Sequence, residues 1–349
     1  MFFASDNASG IAPDLLAAMG AAAGGYAMPY GNDDLTRAVE ARVREVFEAP
    51  EARVYLVATG TAANALALGC LCPPWGRVWC HEAAHIEQDE CNAPEFYMGG
   101  AKLSLIRGAE AKIGADALAA ALDAAQPGVV HSAQPGALSI TQATELGATY
   151  TAAEIAALCD LAKGAGIPVH MDGTRFSNAV ARMNARPADL TWRAGVDVLC
   201  LGATKCGAMA AEAVILFDPA RAWEFELRRK RGGHLFSKMR FVAAQMLAWL
   251  EDGLWLRLAG HANAMADRLA AGLAAAGAGV LNPIDANMIF ARITLAQHRR
   301  LQAAGARYYL WPKAQVPEGG GDAPVEIRLV TSFATTPEDV DRFLDALRG

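Results

Sequence analysis

The sequence predicts an α/β protein with a mostly parallel central sheet, followed by a smaller α+β unit. Up to Phe217, short β-branched runs alternate with longer alanine-rich helical stretches. That alternation is typical of βαβ units around a buried parallel sheet. Beyond Phe217 the pattern changes to a long helical region. The length of 349 residues also exceeds what one compact core usually contains, so two domains are expected.

The predicted strands of the large unit are apolar runs bounded by turn residues. They lie at residues 54–58, 77–80, 102–106, 128–132, 168–171, 197–201 and 213–217. Helices are predicted between them, at residues 35–47, 62–71, 115–125, 152–165 and 177–183. Because buried parallel strands need cover on both faces, we expect helices on both sides of the sheet.

The C-terminal part of the chain has a different organisation. A helical region runs from about residue 221 to 277, with breaks near Gly232 and Gly253. Strands at 288–293 and 326–331 and helices at 295–304 and 337–347 follow, and residues 316–324, rich in glycine and proline, predict a loop. We therefore predict a large domain over 1–250, which includes the N-terminal segment, and a small domain over 251–349.

Composition limits the range of functions. The net charge of −6 gives no electrostatic case for a nucleic-acid or anionic-membrane partner. The apolar runs are too short to cross a bilayer, and the N-terminus lacks the basic start of a secretory signal. Seven scattered cysteines do not indicate a disulfide framework. A cytoplasmic protein is expected.

Three polar segments follow predicted strands, where open α/β sheets bind ligands. The first leaves the strand at 54–58 and enters a helix through Gly60 and Thr61. Glycine permits close approach, threonine supplies a hydroxyl, and a helix N-terminus offers free N–H groups, so this turn suits a phosphate. A plain helix start is the alternative at this point.

The second segment ends the strand at 168–171 and contains Asp172 and Arg175. A carboxylate there is costly to bury without a cationic partner. A protonated pyridine nitrogen is such a partner, and the carboxylate would keep it protonated so that the ring can withdraw electrons. Arg175 could hold a carboxylate through two parallel hydrogen bonds. An internal ion pair between Asp172 and Arg175 is the alternative.

The third segment places Lys205 just beyond the strand at 197–201, among small residues. Partial burial and nearby cations would lower the pKa of this lysine and free its amine for Schiff-base chemistry. A solvated lysine is the alternative. Because Asp172 and Lys205 each follow a separate predicted strand, the two residues together indicate one site at a single edge of the sheet.

Residues 81–85 form a potential zinc motif, His-Glu-Ala-Ala-His. Zinc peptidases need both histidines on one helix face and a third ligand downstream. Here the motif directly follows the strand at 77–80, so we expect no metal. No Gly-x-Gly-x-x-Gly follows an early strand, which disfavours a nicotinamide-binding Rossmann enzyme.

The order and spacing of the segments resemble the threonine aldolases, a family of the aspartate-aminotransferase-type superfamily that uses pyridoxal 5'-phosphate (PLP). The resemblance spans nearly the whole chain. The matching stretches are residues 5–7, 30–33, 59–64, His85, 170–175, the Lys205 segment and 328–332. The resemblance implies the fold of that superfamily.

The resemblance also implies roles around the cofactor. Lys205 would carry PLP as a Schiff base, Asp172 would pair with the pyridinium nitrogen, and His85 would stack on the ring. The residues implied at the cofactor phosphate are Gly60, Thr61 and Thr204, with Arg175 also among the cofactor-binding residues and either Lys238 or Arg231 as a further basic group. For the substrate carboxylate, the implied residues are Ser5, Arg175 and Arg328. Tyr30 would enter a neighbouring subunit's site.

Two departures from the family pattern affect function. Many relatives carry a histidine in the loop after the fourth strand, where this chain has Glu145 as the candidate replacement. A two-histidine account of β-hydroxyl deprotonation is therefore left open. Residues 232–240 read Gly-Gly-His-Leu-Phe-Ser-Lys-Met-Arg and resemble a subgroup that includes phenylserine aldolases.

The implied activity is cleavage of L-threonine, L-allo-threonine or L-phenylserine-type amino acids to glycine and an aldehyde, by a carbon–carbon lyase. The base would be His85, or a water positioned by His85 and Glu90. A β-eliminating lyase or a transaminase that uses PLP is the alternative. The expected partners are an amino acid substrate and further copies of the chain, in a homodimer or homotetramer with shared sites.

Overall fold

A seven-stranded sheet forms the centre of the large unit in the computed structural model, which describes residues 1–312 and 318–349. Its strands are β1 (Arg53–Val57), β2 (Gly76–His81), β3 (Lys102–Ile106), β4 (Gln134–Thr141), β5 (Val169–Gly173), β6 (Val198–Gly202) and β7 (Glu212–Leu216). Across the sheet the order is β1, β7, β6, β5, β4, β2, β3. The strands β4, β5 and β6 therefore lie side by side in its middle.

The sheet is mostly parallel, as the sequence predicts. The strands β3, β2, β4, β5 and β6 pair in parallel, and β7 is antiparallel to both of its neighbours, β6 and β1. Parallel strands end at the same edge of a sheet. The loops that follow β4, β5 and β6 are therefore neighbours at one edge.

Ten helices of the described chain accompany this sheet. They are α1 (Pro13–Ala21), α2 (Asp34–Val46), α3 (Gly60–Leu71), α4 (His85–Gln88), α5 (Ala93–Tyr97), α6 (Ala115–Asp123), α7 (Ala152–Gly164), α8 (Phe176–Met183), α9 (Ala222–Arg231) and α10 (Arg240–Leu250). Side chains cap several of them: Thr59 accepts the N–H of Ala62 at the start of α3, and Thr151 forms a capping box at α7. No helix in the described ranges is long and apolar enough to span a membrane.

Both faces of the sheet are buried. On β6, Leu199 and Leu201 belong to one hydrophobic cluster, whereas Val198 and Cys200 belong to another on the opposite face. Side chains alternate between the faces along a strand, so β6 contributes to two cores. This arrangement explains why the central strands read as continuous apolar runs.

A four-stranded antiparallel sheet with three helices follows. The elements are α11 (Leu254–Ala275), β8 (Gly279–Val280), β9 (Met288–Thr294), α12 (Leu295–Ala303), β10 (Tyr309–Leu310), β11 (Pro324–Val330) and α13 (Pro337–Arg348), with strand order β10, β11, β9, β8. Phe3 from the N-terminal segment packs on Phe343 in this core, with ring centroids 5.1 Å apart. The predicted domain boundary at 250/251 stays a prediction.

The strand predicted at residues 128–132 is wrong. Those residues form a turn, in which Gln134 accepts the N–H of Gly128 and donates to Val129, and the fourth strand begins at Gln134 itself. The sequence does not predict this strand because its second and third residues are Pro135 and Gly136, which usually mark turns. A Cβ on Gly136 would come within 2.3 Å of Cys72 Sγ, so only glycine fits there.

The loop predicted at residues 316–324 is described only in part. Its first two residues, Val316 and Pro317, lie outside the described residues. The described remainder forms no helix or strand before β11, which begins at Pro324.

Candidate active site

The C-terminal edge of the large sheet carries two of the predicted residues. Asp172 is buried on β5, and Lys205 lies just after β6 in a 3-10 turn (Thr204–Cys206). Asp172 pairs in register with Cys200 on β6. The structure thus brings Asp172 and Lys205, which are distant in sequence, to the same edge.

Three hydrogen bonds fix the Asp172 carboxylate. Its Oδ1 accepts the N–H of Thr174 at 2.9 Å and the Thr174 hydroxyl at 2.7 Å, and its Oδ2 accepts Asn64 Nδ2 at 2.9 Å. Burial opposes ionisation, but the charge on His85 and the Thr174 hydrogen bonds outweigh it and hold the pKa of Asp172 below its ordinary value. Asp172 is therefore a buried, ionised and oriented carboxylate.

The Lys205 amine lies in an environment that disfavours its charged form. Burial lowers the pKa of Lys205 most strongly, and the Arg175 guanidinium lowers it further. Asp6 and Asp172 act in the opposite direction without cancelling the shift. A larger fraction of neutral amine is available than on a solvated lysine, as nucleophilic chemistry at nitrogen requires.

A cavity of about 250 Å³ opens between this edge and the start of α3. The residues predicted at the phosphate, Gly60, Thr61 and Thr204, all line it, together with Lys205. The first N–H groups of a helix have no partner within that helix, and they carry a partial positive charge. This end of the cavity is suited to an anion.

His85 is half-buried and joins a buried polar network that reaches Asp172. Its Nδ1 lies 2.8 Å from Glu90 Oε1, and the same oxygen accepts Asn64 Nδ2 at 2.9 Å. Asn64 therefore bridges the carboxylates of Glu90 and Asp172. The hydrogen bond from His85 Nδ1 to the Glu90 carboxylate raises the pKa of His85 against the effect of burial. The sequence analysis did not identify Asn64, although it lies one helical turn beyond Gly60, on the same face of α3.

A second cavity, of about 500 Å³, adjoins the first, and both are lined by His85 and Lys205. Ser5, Arg175 and Arg328, the predicted substrate-carboxylate residues, also line it. These residues come from the N-terminal segment, the end of β5 and the C-terminal sheet. The cavity therefore exists only when both parts of the chain are folded together.

The two arginines of the second cavity differ in their partners. Arg175 donates to both carboxylate oxygens of Asp6, at 2.8 and 3.0 Å, so the alternative of an Asp172–Arg175 ion pair is wrong. Arg328, on β11, donates to Met288 Sδ at 3.8 Å and has no carboxylate partner in residues 1–312 and 318–349. Burial, and then the charge on Arg175, lower the pKa of Arg328 to about 10.

Four predicted residues line neither cavity of this single chain: Asp172, which is hydrogen-bonded to Thr174 in the wall of the first cavity, and three others that lie elsewhere. Tyr30 is exposed and lies beneath the Lys230 amine, with 4.8 Å between Nζ and the ring centroid. Arg231 lines a separate cavity beside Phe96, and Lys238 is exposed. Their roles at the site stay predictions.

The potential zinc motif is not on one helix. His81 ends β2, where its Nε2 lies 3.1 Å from the carbonyl of Gly108 and its Nδ1 accepts the N–H of Ala83. His85 begins α4, after the chain has turned. No group of three or more His, Cys, Asp or Glu residues within the described parts of the chain could hold a metal ion.

The first cavity fits PLP by its donor set. Asp172 offers an ionised carboxylate for a pyridinium nitrogen, α3 offers N–H groups for a phosphate, and Lys205 offers an amine for an aldehyde carbon. Two buried atoms, Glu90 Oε2 and Asn64 Oδ1, have no hydrogen-bond partner among the described residues. Such atoms usually face a group that satisfies them. The residues present therefore match the cofactor.

Comparisons with known proteins agree with this chemistry. The model of the beta-eliminating lyase family matches residues 3–296. A low specificity L-threonine aldolase from Pseudomonas aeruginosa is 42% identical over 349 residues, which cover 99% of this chain and 96% of that protein. The structure of a Leishmania major threonine aldolase aligns with a TM-score of 0.91 at 27% identity, over 99% of this chain and 98% of the other.

The fold and site define a PLP-dependent carbon–carbon lyase, as the sequence resemblance implied. The chain belongs to the beta-eliminating lyase family. The two similar proteins just named are threonine aldolases. The fold alone is shared more widely. A Sphingomonas wittichii serine palmitoyltransferase aligns with a TM-score of 0.72 at 15% identity, over 100% of this chain and 86% of the other.

Proposed function

We propose that this chain cleaves β-hydroxy-α-amino acids, namely L-threonine, L-allo-threonine or L-phenylserine, to glycine and an aldehyde. One observation carries the proposal. The cavity of about 500 Å³ contains an amine of lowered pKa, a histidine and an arginine without a carboxylate partner in the described chain: Lys205, His85 and Arg328. The name of the Pseudomonas aeruginosa relative supports the same substrate class.

Substrate binding rests on the carboxylate group. Arg328 has donors available, and Ser5 presents a hydroxyl to the same cavity. Arg175 is held by Asp6, so it adds positive charge while its orientation stays fixed. A carboxylate gripped by a guanidinium has little freedom to rotate, and the bonds around Cα are oriented as a result.

The chemistry at Cα depends on residues of the first cavity. When bound, PLP supplies an electron-withdrawing ring that stabilises negative charge on Cα. Asp172 would hold a proton on the ring nitrogen, while Gly60, Thr61 and Thr204 would anchor the phosphate. Lys205, with its lowered pKa, is suited to attach the cofactor and to return a proton to Cα as glycine forms.

The β-hydroxyl proton must be removed as the Cα–Cβ bond breaks. His85 lines both cavities, and its ring is oriented by Glu90 at 2.8 Å. His85, or a water held by His85 and Glu90, is the proton acceptor that the sequence alone suggests.

The substrate side chain would meet an apolar wall. Met288, Trp311 and Pro312 line the second cavity, and the Trp311 ring packs edge-on against Phe290 at 5.0 Å. Apolar and aromatic surfaces favour a phenyl over a methyl group, because more apolar area is removed from water. We therefore expect L-phenylserine to have a lower KM than L-threonine.

The finer assembly and location are also proposed: a cytoplasmic homodimer or homotetramer with sites shared between subunits. Large apolar side chains of the N-terminal part, Leu16, Tyr26 and Met28, are exposed, and such patches favour burial by a further copy. All seven cysteines are free and six of them are buried, as in a protein of a reducing compartment. Light scattering of the purified protein measures the assembly size.

Product analysis tests the reaction class. The holoenzyme incubated with L-threonine or L-phenylserine should yield glycine with acetaldehyde or benzaldehyde, without added metal or nicotinamide. Aldehyde formation should exceed 2-oxobutanoate or phenylpyruvate by at least ~10²-fold in rate, about 2.7 kcal/mol in barrier. A keto acid as the main product would overturn the aldolase proposal in favour of a transaminase or an eliminating lyase.

A further inference from the structure

Glu145 follows β4 in the loop that faces the start of α4. Its Oε1 accepts the backbone N–H of His85 at 2.9 Å and the hydroxyl of Thr141 at 2.8 Å. These two contacts fix the carboxylate beside His85, which lines both cavities. Neither contact is an ion pair, so no cation of the described chain neutralises Glu145 directly.

The second oxygen of Glu145 has no partner. Oε2 is buried and makes no hydrogen bond to any described residue. The Glu145 side chain lines the second cavity, together with His85 and Lys205. A buried carboxylate oxygen without a donor is costly, and native proteins rarely keep one unless it has a role. A substrate hydroxyl entering the cavity is a donor of the right kind.

We propose that Glu145 is a catalytic residue that takes the β-hydroxyl proton of the substrate, through Oε2. The inference rests on the proposed aldolase function and deepens it. It assigns the proton transfer to the oxygen that the fold leaves free, rather than to the His85 ring.

Cleavage of the Cα–Cβ bond conserves all protons and electrons. The β-hydroxyl proton moves to Glu145 Oε2, the carbon–oxygen double bond of the aldehyde forms at Cβ, and the Cα–Cβ bond breaks with its electron pair left on Cα. Cα then gains a proton and glycine forms. Glu145 returns its proton to water once the aldehyde has left, so no oxidant, reductant or metal is consumed.

His85 is less suited to accept this proton. Its Nδ1 is hydrogen-bonded to Glu90, and that bond raises the pKa of His85, so the imidazolium form is favoured. An imidazolium has no free lone pair, but it can stabilise a developing negative charge. In this arrangement a cationic His85 stabilises the developing negative charge, and the Glu145 carboxylate, which contacts the His85 backbone, accepts the proton.

Glu145 titrates in the physiological range. Burial raises its pKa to about 7, with the Thr141 hydrogen bond opposing and the charge on Asp172 adding to the shift. The other groups that face it are Cys80 and Tyr150 from the protein side, and Glu82, His85, Asp89, Arg175, Lys205 and Arg328 around the cavity. The carboxylate accepts a proton only above its pKa, so kcat/KM should rise with pH through about 7.

Glu145→Gln in the holoenzyme tests the assignment. The amide oxygen can still accept from His85 and Thr141, but it takes no proton, so kcat for L-threonine cleavage should fall ~10²- to 10⁴-fold. The rise of kcat/KM near neutral pH should disappear. Hydrogen–deuterium exchange at Cα of glycine, which needs no β-hydroxyl, should change by less than about 2-fold.

A matched control and a second readout accompany this variant. Glu95 also has a raised pKa and a buried Oε2 without a partner in the described chain, but it lines neither cavity, so Glu95→Gln should leave kcat unchanged. Ionisation of Glu145 destabilises the fold, so wild-type stability should drop as pH rises through about 7. In Glu145→Gln that drop should be smaller, as measured by thermal unfolding against pH.

Three outcomes would overturn the inference. They are wild-type kcat with an unchanged pH profile in Glu145→Gln, an equal loss of glycine exchange and cleavage, or the same loss in Glu95→Gln. If Glu145→Gln does not fold, Glu145→Asp must keep the rise near neutral pH. Failure of the aldolase proposal itself is distinguishable, because the wild-type protein would then release no aldehyde.

Discussion

The two cavities of the site differ in how they are assembled, although both lie beside buried polar atoms without a hydrogen-bond partner among the described residues. The first lies at the end of one sheet, and the carboxylate beside it, Asp172, accepts three hydrogen bonds from Thr174 and Asn64. The second is assembled from distant segments. Among the described residues, its Arg328 guanidinium has no carboxylate partner and its Glu145 Oε2 has no hydrogen-bond partner.

This difference indicates that the first cavity suits the cofactor and the second suits the substrate. A resident cofactor needs a rigid site whose charges are already oriented, because reorganisation during reaction would cost rate. A substrate that enters and leaves needs groups that remain unsatisfied until it binds. We expect variants of the first cavity to lower kcat. Variants of the second should raise KM, except at Glu145, where kcat should fall and the pH profile should change.

The largest effect is expected for Lys205→Ala, since this lysine lines both cavities. Loss of the amine removes both the cofactor attachment and a proton-transfer group, so kcat should fall by about 10⁴-fold or more. Visible absorbance of the bound cofactor should also be lost. The control, Lys102→Ala at an exposed position of β3, should behave as wild type. Normal turnover by Lys205→Ala would show that another residue supplies the amine that attaches the cofactor.

Asp172→Asn tests the first cavity alone. A neutral amide cannot hold the ring-nitrogen proton, so kcat should fall roughly 10²- to 10³-fold. Stopped-flow kinetics with L-threonine measures the loss. Asp197 offers a matched control at the opposite end of β5, where it accepts the N–H of Val169 at 2.7 Å. Asp197→Asn should keep wild-type kcat; equal losses in both variants would indicate a structural effect.

Arg328→Ala tests the second cavity. The substrate carboxylate would lose a charged partner worth about 2 kcal/mol, so KM for amino acids should rise ~30-fold. Cofactor affinity, measured by absorbance titration, should be unchanged. Arg292 on neighbouring β9 forms an exposed pair with Glu326, and Arg292→Ala is the control. Loss of cofactor rather than of substrate affinity would assign Arg328 to the phosphate.

Asn64→Ala should have the smallest effect on turnover. The variant leaves Asp172 and Glu90 each without one donor, which should lower the free energy of unfolding by about 1–3 kcal/mol. Cofactor affinity should weaken as well. Asn178→Ala breaks another buried amide pair, with Asn263, and should reduce stability without affecting the cofactor. Chemical denaturation and cofactor titration of both variants separate these outcomes; equal cofactor affinities would contradict the bridging role.

The sequence by itself determined the layers of the fold and the residues that end the central strands. Hydrophobic periodicity and composition are local properties, so the sequence predicts β5 and β6 to within two residues. It also places Asp172 at the end of β5 and Lys205 just after β6. The strand at Gln134–Thr141 was misplaced, because the proline and glycine near its start usually mark turns. Only the close approach of Cys72 in the folded chain explains the glycine.

Only the tertiary structure decided which side chains satisfy one another. Arg175 is paired with Asp6, 169 positions away, rather than with nearby Asp172. Asn64 bridges two carboxylates, and Glu145 keeps one oxygen free. Sequence patterns report which residues are buried, but hydrogen bonds and pKa shifts depend on distances between chain segments that no local pattern encodes.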